Sequence, residues 1–73
     1  MTPQHGGGGV LVVSVWFEPG HDGAAGGFRA RITSRVDIES RHEEVTTVAA
    51  ADAVVDVVRR RIDAMVAYHR RRT

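Results

Sequence analysis

Ser14 to Ile32 reads SVWFEPGHDGAAGGFRARI, and the fold turns on whether this stretch is a ligand loop or a hairpin. On its left, Val10 to Glu18 (VLVVSVWFE) is rich in valine and aromatics and stops at the turn signal Pro19-Gly20, so it is expected to be a strand. On its right, Phe28 to about Glu39 alternates cleanly. Phe28, Ala30, Ile32, Val36 and Ile38 fall on one side; Arg29, Arg31, Thr33, Arg35 and Asp37 fall on the other. That run is long for a strand, so a bend near Ser34-Arg35 is expected. A loop from Pro19 to Gly26 between two such strands makes a hairpin, with Glu18 opposite Gly27. Residues facing each other then have numbers summing to an odd value. The register places Phe17 opposite Phe28, Val15 opposite Ala30 and Val13 opposite Ile32 on an apolar inner face. On the outer face Trp16 lies opposite Arg29, Ser14 opposite Arg31 and Val12 opposite Thr33.

The polar run ESRHEE suits a turn, and Glu44 to about Val48 (EVTTV) is a third strand, pairing with the second in a meander. Ala49 to about Arg71 is the helix, with Asp52 as a candidate N-cap. At one residue per 100°, Ala51, Val54, Val55, Val58, Ile62, Met65, Val66 and His69 share a stripe. Val57, Ala64 and Tyr68 widen it. A helix covering one sheet needs an apolar stripe of about 100°, and this one is much wider. One side is expected to pack on the chain's own sheet, against Val13, Val15, Phe17, Ala30 and Ile32. The other side (Val57, Arg61, Ala64, Met65 and Tyr68, with Arg61 at the rim) is expected to meet a second copy. Asp56–Arg60 and Arg59–Asp63 are spaced for pairing along the opposite face. The expected fold is α+β: a three-stranded antiparallel meander carrying one C-terminal helix, residues 10–73, preceded by a glycine-rich tail at 1–9.

Seventy-three residues make one small domain with a marginal core, and domains of this size need a staple. Cysteine is absent, which excludes disulfides and thiolate zinc sites. Oligomerisation is the staple left. Ten arginines against nine carboxylates give a formal net charge of +1, low for a dedicated nucleic-acid binder. The chain has no lysine and is rich in alanine, valine, arginine and glycine, a bias resembling that of a high-GC bacterial genome. No stretch is long and apolar enough to span a bilayer, and no signal-peptide pattern opens the chain, so a cytoplasmic location is expected.

The outer face of the hairpin is the candidate partner-binding surface: Trp16, Glu18, Arg29, Arg31 and Arg35. Trp16 and Arg29 are placed for a cation–π contact, and Glu18 is diagonal to Arg29. Tryptophan and arginine are the usual anchors of protein interfaces. They also suit single-stranded nucleic acid, which stacks on the ring and offers phosphate to the guanidinium. Other features carry less chemistry. The glycine loop leads into a strand, whereas phosphate loops lead into a helix N-terminus. Glu18, His21 and Asp22 could offer metal ligands, but they lack the geometry and supporting partners of a built site. His42 falls in a turn, and His69 near the helix end, where a cation is favoured. The arginine triplets 59–61 and 70–72 point in three directions on a helix. No nucleophile–base arrangement is visible, so neither enzyme activity nor a cofactor is expected.

The outline VSVWFEPG, GFRARI and AAADAVVDVVRRRIDAMVA resembles the N-terminal β-β-β-α part of HicB-like antitoxins in order and spacing. The resemblance implies a small domain that oligomerises and neutralises a protein partner. The sequence is accordingly read as a non-catalytic assembly module, an accessory component of a bacterial system that binds itself and a second protein. Nucleic-acid binding by Trp16 and the neighbouring arginines is the alternative.

Overall fold

The computed structural model describes residues 7–20 and 26–72. Three strands, β1 (Val10–Phe17), β2 (Phe28–Arg35) and β3 (Glu44–Val48), form one antiparallel sheet in the order β1-β2-β3, followed by a single helix, α1 (Ala51–Arg72). This is the expected α+β arrangement. The hairpin register is the one the alternation requires: Val13 opposite Ile32, Val15 opposite Ala30, Trp16 opposite Arg29, Phe17 opposite Phe28. Glu18 N–H donates to the Gly27 carbonyl at 2.9 Å, so the pairing continues one step past β1. Gly27 has φ of 76°, and a Cβ there would lie 2.3 Å from the Glu18 carbonyl oxygen. Only glycine closes the hairpin at this point. His21, Asp22 and most of the connecting loop lie outside the described residues, as do Met1 to Gly6.

The second strand stops earlier than its alternation suggests. The Asp37 carboxylate accepts from Glu39 N–H at 3.0 Å, and the Asp37 carbonyl from Ser40 N–H at 3.0 Å. This local turn competes with the ladder and ends β2 at Arg35. Ile38 nonetheless donates its N–H to the Gly8 carbonyl at 2.7 Å. The segment Gly7–Gly9, read from its composition as the end of a free tail, is therefore tied to the sheet. Gly9 also lies close against the helix: a Cβ would meet the Met65 sulfur at 2.7 Å and the Arg35 carbonyl at 2.9 Å.

The core is small and off-centre. Ala30 and Ile32 are fully buried and Val57 nearly so. Val13, Val15 and Phe17, expected beneath the helix with them, are not covered: Val15 is 51% and Phe17 66% exposed. The cause is the connection. Only Ala49 and Ala50 separate β3 from α1, so the helix starts over β3 and runs back across β2. β1 shares the sheet face but lies beyond the helix. Ile32→Ala is expected to cost about 2–5 kcal/mol, a large share of the stability of so small a domain. Urea denaturation followed by circular dichroism measures it, and a loss below 1 kcal/mol would mean that Ile32 is not the centre of the core.

Candidate functional sites

The rotation of α1 about its axis is set by one side chain. Arg61 donates from Nη1 to Ser34 Oγ at 2.9 Å and to Glu44 Oε1 at 3.1 Å, and from Nη2 to Thr46 Oγ1. Its side chain is only 13% exposed. The β2–β3 register pairs Ser34 with Glu44 and Ile32 with Thr46, so the helix-facing side of this sheet corner is polar, and a cation with several donors fits it. Four residues further on, Met65 sits against Gly9. In the last turn Tyr68 donates to the Asp37 carboxylate at 3.2 Å, and His69 Nε2 to the Val36 carbonyl at 2.7 Å.

These contacts reverse the expected division of the helix. Val57, Arg61, Met65 and Tyr68, assigned above to a second copy, face the chain's own sheet. Of that set only Ala64 is exposed. The physical reason is the polar corner of Ser34, Thr46 and Glu44, which draws Arg61 inward where an apolar sheet would have expelled it to the rim.

The surface left over is the other flank of the stripe. Arg61 reaches β2 and β3, while Met65, 40° further round at one residue per 100°, touches the lead-in to β1. Continuing in the same sense brings Val58, Ile62, Val55 and Val66 round to the β1 side. Val55 is 66% exposed and Ile62 47%, and Val66 is also exposed. A shallow depression of about 470 Å³ runs along this flank, bounded by Arg59 and Asp63. On β1, Val13, Val15 and Phe17 are uncovered as well. Helix flank and strand β1 thus both expose large apolar side chains.

The outward sheet face holds the other expected site. Arg31 lies over the Trp16 ring at 5.8 Å; the cation–π contact belongs to Arg31 and not to Arg29, which stands directly opposite. Arg29 is drawn towards the hairpin end, 3.6 Å from the Glu18 carboxylate, as its diagonal position suggested, and also donates to its neighbouring Phe28 carbonyl at 2.7 Å. Arg35 lies 3.5 Å from the Glu43 carboxylate. Trp16, Glu18, Arg29 and Arg31 therefore form one cluster, while Arg35 sits at the far end of β2, beside Val10 and Val12 in a smaller hollow of about 180 Å³. Among the described residues, Arg31 pairs with no carboxylate. Nor do the described residues hold any cluster of histidines and carboxylates able to bind a metal, and of the candidate ligands there only Glu18 is described. No helix is long and apolar enough to cross a membrane among the described residues.

Compared with known proteins, the chain matches no family model, no curated protein and no solved structure.

Arg31→Ala is expected to change the emission of Trp16, the only tryptophan, more than Arg29→Ala does, at a stability cost of about 0.5–1 kcal/mol. Fluorescence spectra of the two variants check this; equal spectra would mean that Arg31 does not rest on the ring.

Proposed function

We propose that this chain is a non-catalytic assembly module that self-associates through its open apolar surface and presents the Trp16–Arg31 face to a protein partner. One observation carries the reading: apolar side chains that a self-sufficient domain would bury, on β1 and on the helix flank, are bare. A core of Ala30, Ile32 and Val57 is meagre even for a short chain. A second copy supplies the missing cover. As in the HicB-like outline, such a module would serve as the accessory component of a larger bacterial system.

On this reading, light scattering of the wild-type chain at micromolar concentration gives at least twice the 8.0 kDa protomer mass. Ile62→Arg, which puts a charge into the apolar flank without touching the sheet contacts of Arg61, lowers it to one protomer. A monomeric wild type would overturn the proposal. A fully assembled Ile62→Arg variant would remove the helix flank from it.

Arg31, which lies beside Trp16 and pairs with no carboxylate among the described residues, favours a second reading, in which the outward face stacks the bases of single-stranded nucleic acid. Short DNA or RNA would then quench Trp16 fluorescence at low salt and lose that effect as salt rises. An unchanged signal at low salt rejects it.

A further inference from the structure

Building on the self-association reading, we infer that the second copy joins at the open edge of β1, antiparallel and about a two-fold axis near Ser14. The product is a continuous six-stranded sheet with the two helices side by side on one face. Strand β1 is an outer strand of the sheet. Its eight residues, VLVVSVWF, include no charge and no proline. Isolated edge strands are normally guarded by charges, prolines or bulges, because their free N–H and C=O groups invite another strand. Among the described residues nothing covers this edge. The outer strand at the opposite side, β3, is short and begins with Glu44.

The pattern of backbone groups makes the edge specific. Glu18 and Gly27 form a hydrogen-bonded pair, and hydrogen-bonded pairs recur at every second residue of an antiparallel ladder. Trp16, Ser14, Val12 and Val10 therefore point their N–H and C=O groups at β2. Phe17, Val15, Val13 and Leu11 point theirs at the open edge. A copy aligned with Ser14 opposite Ser14 sets Val13 opposite Val15 and Leu11 opposite Phe17, so each outward group finds a partner. The inner and outer faces also match across the junction.

The helix agrees with this geometry. By its 100° spacing, the flank of Val55, Val58, Ile62 and Val66 falls on the β1 side of the helix, the direction from which the second helix would approach. Its charged residues Asp56, Arg59, Arg60 and Asp63 remain on the solvent side of the helix layer. A copy stacked on top of the helices would instead press these charges against apolar β1 side chains.

Val15→Pro tests this, because it deletes an outward N–H while sparing those that bond β2, and an edge strand tolerates proline there. Val15→Thr keeps the N–H and a similar shape. Expected is a folded but monomeric Val15→Pro chain by circular dichroism and light scattering, beside an assembled Val15→Thr chain. Since proline could unfold so small a domain, Ser14→Cys gives a second arm. The chain has no native cysteine, and the alignment brings the two thiols within disulfide reach, so mild oxidation should link most of the protein into dimers. An assembled Val15→Pro chain, or an assembled Ser14→Cys chain that does not cross-link, overturns the edge pairing and leaves self-association standing. A monomeric wild type overturns both.

Discussion

The Arg61 clamp is the interaction on which the rest of the structure depends. A guanidinium held by Ser34, Thr46 and Glu44 fixes which side of α1 meets the sheet, and with the two-residue link from β3 it fixes which strands the helix covers. No buried side-chain polar atom among the described residues is left without a partner, so this polar corner is a satisfied one. Removing the arginine would take their partner from the Ser34 and Thr46 hydroxyls beneath the helix, while the exposed Glu44 carboxylate would stay in water. The clamp thus acts as a locator: it holds the helix over β2 and β3, and everything on the β1 side stays bare.

From that placement the surface chemistry follows. Val57 and Met65 turn inward, and Val55, Ile62 and Val66 turn outward. The uncovered half of the sheet keeps Val13, Val15 and Phe17 in solvent, with the Phe17 and Phe28 rings meeting edge to face at 5.7 Å at the exposed end of the hairpin. A domain that folds with such a surface is either prone to aggregate or completed by another chain. The order of its charges, apolar beside β1 and polar on the far side of the helix, fits completion.

Much of the fold was legible in the sequence because alternation with period two leaves few registers. The hairpin pairing of β1 with β2 followed from the position of the loop, and Gly27 is where the geometry demands it. The helix was legible from its 3.6-residue period, and the fold class from the order of elements. What was not legible was rotation. A stripe covering half a helix is compatible with either flank packing inward, and the deciding residue was an arginine, which apolar counting assigns to a rim. The signal was present in the β2–β3 register: pairing Ser34 with Glu44 and Ile32 with Thr46 puts hydroxyls under the helix with a carboxylate at its edge, and Arg61 is the helical residue that can serve them. On the outward face the cluster of Trp16, Glu18, Arg29 and Arg31 was legible, but the partner of Trp16 was not. The pull of Glu18 on Arg29 leaves the ring to Arg31, a competition that sequence spacing alone does not rank.

Amide hydrogen exchange along β1, resolved residue by residue at two protein concentrations, tests the account most directly. In a lone chain only the N–H groups of Val10, Val12, Ser14 and Trp16 along β1, which bond β2, should resist exchange. As concentration rises and copies join at the edge, Val13 and Val15 also become protected. Rapid exchange of Val13 and Val15 at every concentration, beside protected Ser14, would contradict it.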